Sequence, residues 1–153
     1  MHVAGSPAAL TRRHALAAAV AVIAMPFARA SAQDDALAAA IREQVGDAEP
    51  RDGGIELRVP AVAENGGQVP LTVLVDSPQT AQSHVTAIHV FATTNPTPGI
   101  ASFRLTPLLA RAEVQTRIRL SEAQRILVLA QMRDGSVRRA AAEIRVTLGG
   151  CLS

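Results

Sequence analysis

The side chain with the greatest chemical reactivity in this sequence is its single thiol. Cys151 is the third residue from the end of the 153-residue chain, in the sequence VTLGGCLS. A thiolate is a strong nucleophile, and an unperturbed thiol has a pKa of about 8.5. Because one cysteine cannot form an internal disulfide, Cys151 is either a partner in an intermolecular disulfide or a free reactive thiol.

The sequence around Cys151 offers no group that would activate its thiol. Neither histidine nor lysine is adjacent to it, and the chain-end carboxylate two residues away slightly disfavours its ionisation. These neighbours argue against a self-contained cysteine enzyme and favour a carrier, whose thiol enters the active sites of other enzymes. A tether raises the effective concentration of such a thiol at a docked partner. An idle thiol at a frayed terminus is the alternative.

The sequence before the thiol predicts an anchored strand and then a flexible arm. Residues 144–148, IRVTL, alternate apolar and polar side chains, which predicts a strand whose apolar residues pack inward up to about Leu148. Gly149 and Gly150 follow, and glycine has no side chain to pack and the widest backbone freedom. Three residue steps beyond Leu148 give the thiol a reach of roughly 10 Å. We therefore predict a swinging arm that begins at the two glycines.

The first 32 residues have the layout of a cleavable export signal. Arg12 and Arg13 precede an apolar run over residues 15–25, and small residues at alternating positions follow, up to Ala32. The apolar run is too short for a membrane-spanning helix, which needs roughly 20 residues. The paired arginines favour the twin-arginine route to the periplasm, with an ordinary secretory signal as the alternative.

Removal of this signal changes the charge of the chain. The precursor has a formal net charge of +2 and an isoelectric point near 9.9. Cleavage near Ala32 removes Arg12, Arg13 and Arg29, and the formal charge then falls to about −1. The mature chain has no basic patch and very few aromatic side chains for base stacking, so we expect no nucleic-acid binding.

The start of the mature chain predicts one short helix. Residues 34–46 favour a helix that is capped by Asp34 or Asp35 and ended by Gly46. Residues 47–54 have the composition of a linker. The helix and linker together lead into a region with a different hydrophobic period.

The rest of the chain predicts an antiparallel β-sandwich. Apolar residues recur with period two, and the Asp134-Gly135 pair is typical of a tight hairpin. Six or seven short strands separated by Gly and Pro favour a sandwich, and they are IELRV, VPLTVLVD, HVTAIHVFAT, IASFRLT, AEVQTRIRL, RILVLAQM and VRRAAAEIRVTL. The predicted domains are a signal (1–32), a helix and linker (33–54), the sandwich (55–148) and the cysteine arm (149–153).

Several other motifs favour structural roles over chemistry. AENGG, residues 63–67, is predicted to be a hairpin turn, because Asn-Gly favours positive φ. NPTPG, residues 95–99, is predicted to be a rigid loop. His84 and His89 are five residues apart, so one strand would point them to opposite faces. With no further ligand nearby, we expect neither a metal site nor a cofactor.

Taken together, these motifs resemble the SoxY family, the sulfur-carrier subunits of a periplasmic thiosulfate-oxidising system. The resemblance extends over nearly the whole mature chain and is most specific at the terminal cysteine arm. The matching segments are VPAVAENGGQVPLTV, IHVFATTNPTP, FRLTP, AEVQTRIRLSEAQRILVLAQMRDGSV and IRVTLGGC.

The resemblance implies a function, a fold and a set of partners. It implies an immunoglobulin-like sandwich that pairs with a signal-less subunit, SoxZ. It further implies that the cytochrome SoxXA joins thiosulfate to Cys151, that the hydrolase SoxB releases sulfate, and that SoxCD in some organisms oxidises the remaining sulfur. Cys151 would be the covalent attachment site, Gly149 and Gly150 the swinging arm, and the chain itself a non-catalytic carrier.

Two other functions stay open from the sequence. One is a divergent thiol protein whose Cys151 forms redox or intermolecular disulfides, and the other is a structural β-sandwich with an idle terminal thiol. The chain also departs from the family, which usually ends Gly-Gly-Cys-Gly-Gly, because Leu152 and Ser153 replace the last two glycines. The bulk of Leu152 is expected to slow hydrolysis in a narrow active site.

Two features of the strands bear on ligands and partners. Arg117 and Arg119 share one face of their strand and could attract anionic thiosulfate, although a solvated face paired with Glu113 is the commoner arrangement. The segment AIHVFA, residues 87–92, is apolar on both faces, so a partner subunit or the N-terminal helix is needed to cover it.

Overall fold

The structure is a computed structural model that describes residues 25–148, with side chains described from residue 32. Most of the predicted signal and all of the predicted arm, residues 149–153, lie outside the described residues. Within them, no helix combines the length and the apolar character that crossing a membrane requires.

The described chain contains an N-terminal helix and two β-sheets. The larger sheet has the order β1-β9-β8-β5-β6, with β3 pairing along another part of β9, and the smaller sheet has the order β2-β4-β7. The predicted all-β, immunoglobulin-like sandwich with an N-terminal helix is therefore confirmed. The elements are α1 (Met25–Val45), β1 (Pro50–Asp52), β2 (Ile55–Arg58), β3 (Val62–Asn65), β4 (Val69–Val75), β5 (Val85–Ala92), β6 (Gly99–Arg104), β7 (Ala112–Ile118), β8 (Gln124–Met132) and β9 (Val137–Leu148).

The core lies between the facing sides of the two sheets. Every second residue of β4, from Val69 to Val75, is almost fully buried, as the period-two pattern predicted. Opposite them lie apolar residues of β5 and β8, including Val90 and Val128. Burying one such side chain contributes roughly 1.5–3 kcal/mol, so this layer is the main stabilising element of the fold.

Helix α1 covers the outer face of the larger sheet. Phe91 and Leu129 are buried on that face, and Leu37 and Ile41 of the helix pack against them. This arrangement explains why β5 is apolar on both sides. Because the helix already covers this part of β5, the sequence of the strand is not an argument for a partner subunit.

The helix begins earlier than the sequence predicted. It starts at Met25, nine residues before the predicted start, so Asp34 and Asp35 lie inside it and are not N-caps. The alanine-rich sequence before them has high helix propensity, which a rule based on capping residues does not capture. The predicted end is confirmed, since Gly46 has a φ of 64° and its amide donates to the carbonyl of Arg42 at 2.9 Å.

Two short strands were missed by the sequence analysis. Strand β1 lies within the segment that was predicted to be a linker, and β3 lies where AENGG was predicted to be a hairpin turn. Both strands pair in parallel with β9. Asn65 has a φ of −127° and caps a short 3-10 turn, so the predicted hairpin is wrong at this position. The hairpin at Asp134-Gly135 is confirmed, with Gly135 at a φ of 84° between β8 and β9.

Candidate functional site at the end of the last strand

The candidate site is defined by the strand that leads to the cysteine. Strand β9 pairs with β8 only up to Ile144, which lies opposite Gln124. Beyond Ile144, β9 pairs with β3, and this pairing extends to Leu148, which lies opposite Asn65. The predicted anchoring of the backbone up to about Leu148 is thus confirmed. It depends on β3, a strand that the sequence analysis did not find.

The side chains of β9 follow the predicted alternation only in part. Ile144 is buried and Val146 packs against the main core, as predicted. Leu148 is 68% exposed, so its predicted inward packing is wrong. The reason is that β9 continues beyond the start of β8, so its last residue lies past the interior of the sandwich. The three predicted site residues Gly149, Gly150 and Cys151 lie outside the described residues.

We call the end of the sandwich at which β9 finishes its C-terminal end. Strands β3, β5, β7 and β9 finish there, and β4, β6 and β8 begin there. Three connections form its surface, namely the turn at residues 66–68, the loop at 93–98 and the loop at 119–123. Leu148, the last described residue, therefore lies at the same end of the sandwich as these three connections.

A buried pair of amide side chains fixes two of these connections to each other. The side-chain amide of Asn95 donates to the Arg119 carbonyl at 2.9 Å, and its oxygen accepts from the Ser121 backbone amide at 3.1 Å. The amide of Gln124 also donates to the Asn95 oxygen, at 2.8 Å. In return, the Gln124 oxygen accepts from the backbone amide of Thr94 at 2.8 Å.

These contacts make the C-terminal end a fixed platform. Asn95 and Gln124 are 3% and 5% exposed, and buried amides of this kind are costly to leave unpaired. The sequence analysis predicted residues 95–99 to be a rigid loop, and in the structure the hydrogen bonds of Asn95 hold this loop in place. It did not identify Gln124, because a bond between side chains 29 residues apart leaves no local pattern.

Two arginines line a depression on this platform. Arg117 and Arg119 are exposed, and no ion pair among the described residues involves either of them. The suggested pairing with Glu113 is wrong, since the guanidinium that faces this carboxylate, at 3.9 Å, is that of Arg111. The depression between the arginines and residues 95–101, which comprise the end of the loop and the start of β6, has a volume of about 590 Å³.

The two histidines have hydrogen-bonding roles and are not brought together. The Nδ1 of His84 lies 2.9 Å from the Thr80 carbonyl oxygen. The Nδ1 of His89 lies 2.9 Å from the Ser102 hydroxyl, and its Nε2 lies 3.4 Å from the Gln131 side-chain oxygen. Among the described residues no group of three or more metal-ligating side chains is found.

The burial of His89 makes stability depend on pH. Burial lowers the pKa of His89 below its ordinary value of 6.5, the hydrogen bond to the Gln131 side-chain oxygen raises it, and the charge of Arg104 lowers it further. The unfolded chain therefore takes up a proton before the folded chain does. The contribution to stability is complete above about pH 6.5 and is lost as the pH falls through that value towards the folded pKa.

We therefore expect the thermal unfolding midpoint to fall between pH 7.5 and pH 5. A His89→Gln variant is expected to lose most of this decline, whereas His84→Gln retains it. Circular dichroism melts of the three proteins at the two pH values measure the effect. An unchanged decline in His89→Gln would assign the pH dependence to other groups.

The SoxY family, described as sulfur oxidation protein SoxY, matches residues 41–151 of this chain, so the match ends on the cysteine. Among solved structures, the sulfur carrier protein SoxY from Chlorobium limicola f thiosulfatophilum is 31% identical, with a TM-score of 0.63. The alignment covers 75% of this chain and 99% of that one. No match is found among curated proteins.

Other solved structures share the fold at low identity. A superoxide reductase (neelaredoxin) from Ignicoccus hospitalis is 15% identical, with a TM-score of 0.55 over 61% of this chain and 80% of that one. A putative superoxide reductase from Thermotoga maritima is 16% identical, with a TM-score of 0.54 over 64% of this chain and 87% of that one. These likenesses concern the sandwich alone. The family match, in contrast, covers most of the sequence up to Cys151, and the chain therefore belongs to the SoxY family.

Proposed function

We propose that this protein is a sulfur carrier that holds sulfur intermediates covalently on Cys151 and presents them to partner enzymes. The observation that carries the proposal is the family match, which runs along β9 and ends on Cys151. The anchoring of β9 up to Leu148 supports it, because the cysteine then follows a fixed point on the surface after two glycines. A SoxY structure with 31% identity is that of a sulfur carrier protein.

The chemistry needs one thiolate and two partner reactions. In the first, the Cys151 thiolate and thiosulfate form an S–S bond, which gives an S-thiosulfonate and releases two electrons to one-electron acceptors such as cytochrome haem irons, each of which takes one. In the second, water attacks the terminal sulfonate sulfur, which releases sulfate and two protons and leaves a persulfide anion on Cys151. The protein supplies the thiol and its presentation, and the catalytic groups belong to the partners.

From the resemblance to the family we propose the partner proteins, and from the signal sequence we propose the cellular compartment. SoxZ would form a heterodimer with this chain, and SoxXA, SoxB and, where it is present, SoxCD would dock in turn on the cysteine arm. Because the predicted signal contains paired arginines, we propose that the protein is exported to the periplasm by the twin-arginine route, which carries folded proteins.

Intact mass spectrometry under non-reducing conditions tests the carrier function. The mature protein is purified, with any subunit that accompanies it, from cells grown on thiosulfate. Thiosulfonate or sulfane-sulfur adducts that disappear with a reductant and map to Cys151 are expected. A free thiol as the sole form, or a disulfide-linked dimer as the main form, would count against the proposal.

The Leu152-Ser153 ending is expected to slow the hydrolase. A narrow active site discriminates against extra bulk by about 1–3 kcal/mol, so we expect Leu152→Gly to raise the rate of sulfate release by about tenfold. Ser153→Gly is the matched control and is expected to change the rate little. Sulfate release from the loaded carrier, measured by ion chromatography, distinguishes the variants. Equal rates for Leu152→Gly and the parent protein would contradict the steric argument.

A further inference from the structure

The C-terminal end of the sandwich exposes two guanidinium groups that lie two residues apart in the chain. Arg117 and Arg119 lie at the end of β7, and neither forms an ion pair within residues 25–148. Glu64 and Glu122, which are exposed at the same end, do not pair with them. Two adjacent guanidinium groups form a good receptor for a sulfonate or a carboxylate, because each presents several N–H donors to the oxygens.

The depression beside the arginines has both a charged rim and an apolar floor. Its volume is about 590 Å³, and Ile100, Ala101 and Ile118 line it together with the arginines. The hydrogen bond from Asn95 to the Arg119 carbonyl holds its two sides together. A segment that combines an anionic group with an apolar side chain would complement both parts of this surface.

The end of the chain is such a segment, and it begins close to the depression. Leu148 lies opposite Asn65, and the carbonyl of the next residue, Gly66, accepts from the Leu120 amide at 2.8 Å. The last described residue of β9 is thus separated from Arg119 only by this short turn. Residues 149–153 follow, and three residue steps already span roughly 10 Å.

We propose that Arg117 and Arg119 hold the cysteine arm when it is loaded, with the guanidinium groups binding the anionic sulfur adduct on Cys151 and Leu152 packing on the apolar floor. The inference rests on the proposed carrier function. An unloaded thiol is mostly neutral at pH 7, whereas an S-thiosulfonate carries a full negative charge beside the terminal carboxylate. The two arginines therefore bind the loaded arm in preference to the unloaded arm. This binding keeps the adduct on the carrier surface while the carrier moves from one partner enzyme to the next. It also assigns a binding role to Leu152.

Chemical loading tests this inference without any partner enzyme. Tetrathionate reacts with the Cys151 thiolate to form the same S-thiosulfonate, and free thiosulfate leaves. Carboxypeptidase then removes Ser153 from the mature protein, with any subunit that accompanies it, and intact mass follows the reaction. In the parent protein we expect loading to slow the removal of Ser153 severalfold, and 1 M salt to abolish the difference because it screens ion pairs.

Two variants with the same change of charge identify the residues responsible. Arg117→Gln/Arg119→Gln is expected to lose the protection, so that loaded and unloaded chains are digested at equal rates. Arg51→Gln/Arg133→Gln removes two exposed arginines at the opposite end of the sandwich and is expected to keep it. Equal protection in both variants, or no protection in the parent protein, overturns the inference. Because tetrathionate loads the thiol directly, these outcomes are independent of whether cells load the carrier.

Discussion

Replacing Cys151 with serine is expected to reduce thiosulfate oxidation in a reconstituted system to the background without the carrier. A serine hydroxyl does not ionise near neutral pH and cannot form the S–S bond on which the proposed intermediates depend. The loss should be complete, because the chain has no second thiol. Electron delivery to the cytochrome and non-reducing intact mass together measure the result.

The fold of this variant is expected to be unchanged. Cys151 follows the last strand, so the free energy of unfolding should stay within about 0.5 kcal/mol of the parent protein. Ser153→Ala, two residues further on, is the matched control and should retain both loading and turnover. Sulfur adducts that persist in Cys151→Ser would place the cargo elsewhere. Full turnover in that variant would favour a structural sandwich with an idle thiol.

Replacing Asn95 with alanine is expected to produce a large loss of stability for a change in a surface connection of the C-terminal end. It leaves the Arg119 carbonyl and the backbone amide and hydroxyl of Ser121 without their partner, and it leaves the Gln124 amide with only its bond to the Glu122 carbonyl. An unpaired buried polar group costs about 1–3 kcal/mol, and partial hydration should reduce the sum to about 3 kcal/mol. Urea denaturation measures the free energy directly, and the melting temperature should fall by roughly 10 °C.

A second asparagine at the same end provides the control for Asn95. Asn65 accepts one hydrogen bond, from the Gly67 amide at 2.7 Å, in an exposed turn. Its replacement by alanine should therefore cost no more than about 1 kcal/mol. If the two variants were equally stable, the buried network could not be the element that fixes the platform. Loss of the arm protection in Asn95→Ala, under conditions in which it stays folded, would connect that platform to the arginine pair.

The parts of the fold that were predictable are those with strong local patterns. Alternation along β4 and β7 identified their buried faces, and Asp134-Gly135 identified the β8–β9 hairpin. These signals arise because a strand with one buried face repeats every two residues and a tight turn requires a positive φ. The cysteine arm also rests on a local pattern, two glycines before a lone thiol, and it stays a prediction because residues 149–153 lie outside the described residues.

The parts that were missed depend on contacts between distant segments. Strand β3 is only four residues long, and it is a strand because the far end of the chain pairs with it. The exposure of Leu148 depends on how far β9 runs past β8, and the Asn95–Gln124 contact depends on two loops meeting. None of these has a period or a turn motif. The C-terminal platform could therefore not be predicted from the sequence.

The parallel pairing of β1 and β3 with β9 also determines when the protein can fold. The two strands lie early in the chain, whereas β9 follows every other strand that residues 25–148 contain. Their backbone partners lie more than 80 residues further along the chain (Pro50 opposite Val137, Val62 opposite Arg145), so these strands join the sheet late in folding, through contacts of high sequence separation. A chain truncated before β9 lacks the strand with which β1, β3 and β8 all pair. Completion of the fold thus depends on the strand that leads directly to the cysteine segment.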